Sequence, residues 1–204
     1  METFVSFKKE NTAFIIENKA AAIWLIRLYI FRIYRFAKGK HMERLLDNRS
    51  GKEVEPKTLL SVNRINDTLI FEFSAYDSSL NSFSNIDNDE LYNGDVVEVF
   101  LDLGDEFYYE FEVAPNGASF VAKIVNGTPV FINNDFFAPS SSIKDNSYFV
   151  TMKIDLSELG NNKKIRYNAF RIETKRIETN YILEALSPTL SNTFHVRDKF
   201  IELN

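Results

Sequence analysis

Charged side chains at alternate positions of short apolar runs are the residues here that could do chemistry. Glu98, Glu112, Arg171 and Glu173 each fall on the non-core side of a predicted strand. If their faces meet, they form a charged concave surface on which the guanidinium fork of Arg171 offsets the carboxylates. Two such carboxylates could serve as the acid and base of a glycosidase. Carboxylates are frequent in this chain, however, so hydrolysis is the weaker interpretation, and a solvated face with cross-strand ion pairs explains the pattern equally well.

Other catalytic and metal-binding patterns are weak. Ser187, His195 and Asp198 supply the residue types of a triad, but no Gly-x-Ser-x-Gly elbow accompanies them. The acidic loops 87–90 and 102–106 offer the hard oxygens that calcium needs, without the spacing of an EF-hand. Solvated turns are the better interpretation of both loops, so no cofactor is predicted and calcium stays open. The chain has no Cys, which excludes disulfides and thiolate metal sites.

Short runs of alternating polarity from about Leu45 onward must position these residues. In 68–75, for example, Leu69, Phe71 and Phe73 share one face while Glu72 points the other way. Further strands are predicted at 96–101, 107–113, 119–125, 148–154, 165–174, 181–186 and 199–203. Eight or more strands with no helices between them predict an all-β fold, an antiparallel β-sandwich.

Turn residues separate these strands. Pro115-Asn116-Gly117 predicts a turn, and Asn126-Gly127 is the strongest hairpin signal in the chain. The run 155–160 predicts one helical turn, capped by Asp155 or Ser157 and ended by Gly160. The segment 133–146 is the best candidate for a long surface loop.

The segment 20–44 differs from the rest of the chain in charge. It carries six basic residues and one acid in a chain of net charge −5, so the remainder is strongly acidic. That remainder would repel phosphate backbones, which argues against nucleic acid as a partner. Three Arg within the apolar stretch Ala20–Phe36 argue against a transmembrane span. No secretory signal is recognisable, so the localisation is left open.

Two interpretations of 20–44 remain open. A helix with Arg27, Arg32, Arg35 and Lys38 on one side could lie on an anionic membrane surface or contact a partner protein. A buried first strand with snorkelling Arg stems, or a pairing edge for another copy of the chain, is as plausible. We therefore divide the chain into an N-terminal segment, 1–44, that is apolar, basic and of uncertain structure, and a β-sandwich, 45–204.

Four blocks of sequence together resemble a known family. They are Asp95-Val-Val-Glu-Val-Phe-Leu-Asp102, Tyr109-Glu-Phe-Glu-Val-Ala-Pro-Asn-Gly117, Asn168-Ala-Phe-Arg-Ile-Glu173, and a last block with Leu186-Ser-Pro-Thr189, Asn192-Thr-Phe-His195 and Lys199-Phe200. Their order and spacing are similar to those of the family 9 carbohydrate-binding modules and their stand-alone relatives, from about Thr58 to Leu203. The resemblance implies a sugar-binding β-sandwich, of the kind found as an accessory module of secreted xylanases and often carrying structural calcium.

The resemblance also implies which residues would bind the sugar. The two clamping rings, which are Trp in the family, fall on Tyr92 and Phe194. The polar groups would come from Glu98, Glu112, Arg171, Glu173 and His195. Without the resemblance, Tyr92 could equally be a ring tucked onto the sandwich edge and Phe194 a core residue.

We therefore predict a non-catalytic domain that binds a glycan between Tyr92 and Phe194. The alternative is a protein or membrane-surface interaction module that uses 20–44 and has a degenerate sugar site. Whether Tyr92 and Phe194 face one another across an open groove distinguishes the two, because sugars stack their C–H faces on exposed rings.

Overall fold

The computed structural model describes residues 8–9, 12–13, 41–55, 57–77, 79–160, 164–174 and 181–203. The chain divides into two compact units, 1–41 and 42–204. In the first, β1 (Lys8–Lys9) pairs antiparallel with β2 (Thr12–Ala13). The two interpretations of the basic segment, a surface helix or a buried strand, concern residues that up to position 40 lie outside the described part of the chain. None of the helices in the described part is long and apolar enough to cross a membrane.

One sheet of the second unit has five strands. These are β3 (Glu43–Arg44), β5 (Thr58–Ile65), β6 (Thr68–Tyr76), β11 (Phe137–Lys144) and β12 (Ser147–Asp155). They lie in the order β11-β12-β6-β5-β3, and every pairing is antiparallel. Glu43 and Arg44, which we assigned to the N-terminal segment, thus form an edge strand of this sheet.

The other sheet has eight strands. These are β4 (Leu46–Asp47), β7 (Val96–Asp102), β8 (Tyr108–Val113), β9 (Ser119–Val125), β10 (Thr128–Phe131), β13 (Arg166–Thr174), β14 (Tyr181–Ala185) and β15 (Ile201–Glu202). The order is β10-β9-β8-β7-β13-β14-β4, and β15 also pairs with β13. The fully buried Leu45 joins β3 to β4, so the chain passes there from one sheet to the other.

The main core lies between the two sheets. In β7, Val97, Val99 and Leu101 face inward, and they pack in one cluster with Phe71 and Phe73 of β6. This is the period-two pattern that the sequence predicted, because successive side chains of a strand point to opposite faces. The prediction of an antiparallel β-sandwich is confirmed.

The outer face of the eight-stranded sheet is also apolar. Phe100 of β7 and Phe170 of β13 lie there in a second buried cluster, together with Phe194 and Phe200 from the C-terminal part of the chain. Loops therefore cover much of this face, and they leave the pocket described below.

Local predictions met different outcomes. Asn126-Gly127 forms the β9–β10 hairpin, with φ of 50° and 79° at its two residues. The predicted helical turn is a 3-10 turn over Leu156–Glu158, and the Asp155 carboxylate accepts a hydrogen bond from the Ser157 backbone amide at 2.9 Å. The predicted loop at 133–146 is wrong, because β11 occupies most of it as an exposed edge strand.

Candidate functional site

A pocket of about 260 Å³ opens on the outer face of the eight-stranded sheet. Strands β7, β8, β13 and β14 supply its floor, and two loops supply its rim. The lining residues are Tyr92, Glu98, Glu110, Glu112, Ile172, Leu183, Asn192, Thr193, Phe194 and His195. Five of the seven residues predicted to bind a ligand therefore meet in one pocket: Tyr92, Phe194, Glu98, Glu112 and His195.

Three buried glutamates, which we call the carboxylate floor, lie at the base of the pocket. Glu98 of β7 is the direct cross-strand neighbour of Glu112 of β8, and Glu110 lies two residues before Glu112 on the same face. One carboxylate oxygen from each lies within 4.8 Å of the others. Glu110 was not among the predicted ligand-binding residues, although its alternation with Glu112 could have identified it.

Burial raises the pKa of every group in the carboxylate floor. Desolvation raises the pKa of Glu110 to about 7, against the opposing effect of its hydrogen bond with Glu112. For Glu98 and Glu112, desolvation comes first and the charges of the other glutamates add to it, so both pKa values lie well above 4.5. The floor thus holds protons that ordinary surface carboxylates would have released at neutral pH.

Tyr92 forms one wall and is 47% exposed. It lies in a 3-10 turn, Leu91–Asn93, that ends at Gly94. A Cβ at Gly94 would lie 2.5 Å from the Phe83 backbone nitrogen, so only glycine allows this close approach. The carboxylate of Asp95 then accepts a hydrogen bond from the Thr174 backbone amide at 2.7 Å, which ties the Tyr92 turn to the end of β13.

Phe194 and His195 form the opposite wall. Phe194 is only 7% exposed, because its ring stacks on Phe170 with centroids 4.2 Å apart. The His195 ring stacks on Phe100, and its Nδ1 lies 2.6 Å from the hydroxyl of Tyr108 in a hydrogen bond. This packing removes water and lowers the pKa of His195, so its imidazole is neutral at physiological pH.

Two buried asparagines hold the loop that carries Phe194 and His195. The Asn48 side chain accepts from the Thr189 amide at 2.9 Å and donates to the Ser191 carbonyl at 2.9 Å. The Asn168 side chain accepts from the Ser187 amide at 3.0 Å and donates back to the Ser187 carbonyl at 2.7 Å. The part of the loop that precedes Phe194 is therefore fixed to the sandwich.

Arg171 and Glu173 do not lie in the pocket, which corrects the expectation that their faces meet those of Glu98 and Glu112. The β7–β13 register pairs Phe170 with Glu98, so Phe170 faces outward and Arg171 faces the core. Arg171 is fully buried there and lies within 3.3 Å of carboxylate oxygens of three residues, Asp77, Glu173 and Glu184. We call these four residues the arginine cluster.

Among the described residues, the three carboxylates of the floor are close enough together to hold a metal ion. The acidic loops considered for calcium use their carboxylates internally. Asp87 accepts from the Ser119 amide at 2.8 Å, and Asp102 accepts two hydrogen bonds from the Arg197 guanidinium.

Comparison with solved structures identifies the fold. A candidate carbohydrate-binding protein from Bacteroides uniformis matches with a TM-score of 0.71 at 17% identity, over 86% of this chain and 90% of that one. A family 9 carbohydrate-binding module from Caldicellulosiruptor kristjanssonii in complex with glucose matches with a TM-score of 0.58 at 17% identity, over 78% and 82%. The chain has the fold of a family 9 carbohydrate-binding module.

A family 9 carbohydrate-binding module from Caldicellulosiruptor kristjanssonii in complex with cellotriose matches with a TM-score of 0.52 at 17% identity, over 71% of each chain. No protein-family model matches the sequence, and a search of curated proteins finds no significant match. The resemblance to family 9 carbohydrate-binding modules that the four sequence blocks predicted is thus confirmed at the level of the fold, and the matching proteins are bacterial.

Proposed function

We propose that this chain is a non-catalytic carbohydrate-binding domain and that its ligand occupies the pocket above the carboxylate floor. The observation that carries the proposal is the combination of one exposed aromatic ring, Tyr92, with buried polar groups around a space of about 260 Å³. Sugars are recognised in this way, since C–H faces stack on rings while a few fixed polar groups bind the hydroxyls.

The two rings differ in what they offer. Tyr92 presents a solvent-accessible face, whereas Phe194 is held against Phe170 and presents little surface. Tyr92 is therefore the main stacking ring, and Phe194 shapes the wall opposite. Asn192, Thr193 and His195 at the rim supply neutral polar groups for hydroxyls that point away from the floor.

Glu98 and Glu112 act as hydrogen-bonding partners of the ligand in this proposal. Because burial raises their pKa values, they keep their protons to a higher pH than surface carboxylates do, and a protonated carboxyl group can both donate to and accept from hydroxyl groups. The solved family 9 modules in complex with glucose and with cellotriose support a neutral sugar as the starting ligand for tests.

The test is calorimetric titration with glucose, xylose and their short β-linked oligomers, alongside an assay for released reducing ends. Saturable binding without hydrolysis is expected, and Tyr92→Ala should weaken it by about tenfold or more, as loss of a stacking ring does. Tyr76→Ala is the matched control, because Tyr76 is 45% exposed and lies at the end of β6 in the other sheet. A wild-type protein that is folded but binds no sugar would rule the proposal out, and hydrolysis would replace it with a glycosidase.

A further inference from the structure

The polar lining of the pocket is rich in acids. Three of its ten residues are glutamates, and no Lys or Arg lines it in the described part of the chain. Arg49 approaches only from the rim, where its Nε donates to the Asn192 side-chain oxygen at 2.7 Å. A ligand entering this pocket therefore meets carboxylates with no protein cation beside them.

The described residues around the carboxylate floor supply it with no hydrogen-bond donor beyond its own carboxyl groups. Within the described residues, no amide, hydroxyl or guanidinium group donates to Glu98, Glu110 or Glu112, and their one mutual hydrogen bond joins Glu110 to Glu112. Glu112 is 2% exposed, and its Oε2 is buried with no hydrogen-bond partner. A buried acceptor left in this state is costly unless a ligand completes it.

We propose that the pocket prefers an amino sugar and binds the free ammonium group of a hexosamine among Glu98, Glu110 and Glu112. The inference rests on the proposed function, since it names the class of sugar that the same pocket takes. An ammonium group has three N–H donors, which matches three carboxylates that approach one another within 4.8 Å. Its charge replaces the protons that the carboxylates otherwise retain.

The rest of the pocket suits a small organic cation better than a bare metal ion. Calcium takes six to eight oxygen ligands, and magnesium keeps several waters. Ile172, Leu183 and Phe194 around the floor are apolar and supply no such ligands. A hexosamine ring buries carbon against these side chains. It also lies beside Tyr92, whose ring can stack on its C–H face and attract its positive charge.

The experiment compares three sugars that differ only in one substituent: glucosamine, glucose and N-acetylglucosamine, each also as a short β-linked oligomer. Binding to the wild-type protein is measured by calorimetry near neutral pH, in the presence of a chelator. We expect glucosamine to bind at least about tenfold more tightly than the other two, because a charge-assisted hydrogen bond is stronger than a neutral one. Isomers that carry the amine elsewhere on the ring show which position faces the floor.

Substitutions then test whether the floor is responsible. Glu112→Gln and Glu98→Gln should each reduce the preference for glucosamine to within about threefold of glucose, because they remove a negative charge and keep the shape. Glu158→Gln is the control, because Glu158 is exposed on the 3-10 turn Leu156–Glu158 and does not line the pocket. It should leave the preference unchanged. The sugar comparison uses the wild-type protein alone, so it holds even if a variant fails to fold.

The outcomes separate this inference from the proposed function. Equal binding of glucosamine and glucose overturns the amino-sugar preference and leaves the carbohydrate-binding proposal standing. Binding of no sugar overturns both. Sugar binding that appears only when the chelator is replaced by calcium also overturns the ammonium inference, because the carboxylate floor would then hold a metal ion.

Discussion

The eight-stranded sheet has a buried cluster of carboxyl groups on each face. The two clusters differ in which cations and hydrogen-bond donors the protein places beside them. On the inner face, the guanidinium of Arg171 binds the carboxylates of Asp77 and Glu184, each at 3.2 Å, and Thr58 Oγ1 also donates to Glu184 at 2.9 Å. On the outer face, the carboxylate floor has neither a described cation nor a described amide or hydroxyl donor.

Under the proposed function, this difference separates a structural role from a binding role. Burying charges is costly, and the cost is offset only where partners are already in place. In the arginine cluster the protein supplies the cation itself, so the cluster belongs to the sandwich, although Arg171 Nε is buried with no hydrogen-bond partner among the described residues and burial raises the pKa of Glu184 to about 7. In the carboxylate floor the protein leaves acceptors incomplete, which is what a site for a donor-bearing ligand requires.

The largest effect is expected from breaking the arginine cluster. Arg171→Met would leave three buried carboxylates without their shared cation, and we expect the free energy of unfolding to fall by about 3–5 kcal/mol. Urea denaturation of the purified variant measures this. Lys164→Met is the control, since Lys164 forms an exposed ion pair with Glu202 and should unfold close to wild type. Equal stability of the two variants would mean that Arg171 is not a structural residue.

The pH dependence of stability should reveal the carboxylate floor next. Because the folded-state pKa of Glu110 is raised to about 7, the folded protein binds its proton more tightly than the unfolded chain does. The contribution of Glu110 to the free energy of unfolding is therefore fully present below about pH 4.5. It is lost as pH rises through about 7, and this loss lowers the free energy of unfolding by roughly 3 kcal/mol.

Glu110→Gln should remove that part of the decline. The lowered pKa of His195 makes stability rise with pH, but it does so in both proteins. We therefore compare the free energy of unfolding of wild type with that of Glu110→Gln, measured by urea denaturation at about pH 5 and again at about pH 8. A difference that does not change with pH would contradict a proton held by Glu110.

A smaller effect of opposite sign sharpens the comparison. At about pH 8, Glu112→Gln should raise the free energy of unfolding by about 1 kcal/mol, because it removes a like charge opposite Glu98. Glu184→Gln should lower it by about 1–3 kcal/mol, because it removes a partner of Arg171. If both substitutions shift stability in the same direction, the two clusters are not different in kind.

The alternation of side chains along each strand could be predicted from the sequence, and it placed Glu98 and Glu112 away from the core. Glu98 and Glu112 fall on the outer face for the same reason that Val97 and Phe111 fall on the inner one. The resemblance then added Tyr92, Phe194 and His195, which the loops bring to the same pocket. Glu110 was missed, although its alternation with Glu112 puts both side chains on the same face of β8.

Register and edge position could not be predicted in this way. The charge of Arg171 predicts a solvent-exposed position on the outer face. The pairing of Phe170 with Glu98 instead directs Arg171 inward, where it forms ion pairs with three acidic side chains. Strand β11 was missed because it is an edge strand with a mostly exposed surface, and its Pro139 and three serines resemble a loop.

The pocket takes its floor from strands and its rim from loops, and this has a consequence for how specificity could be altered. The floor residues alternate with core residues, so exchanging strands would disturb the sandwich. The loop that carries Asn192, Thr193 and Phe194 is fixed before Asn192 by Asn48 and Asn168, and after His195 by the hydrogen bonds of Arg197 to Asp102. If the pocket binds sugars as proposed, grafting a different loop between Ser191 and Arg197 would change which sugars fit while the acidic base stays the same, which would make the domain a practical scaffold for engineered glycan reagents.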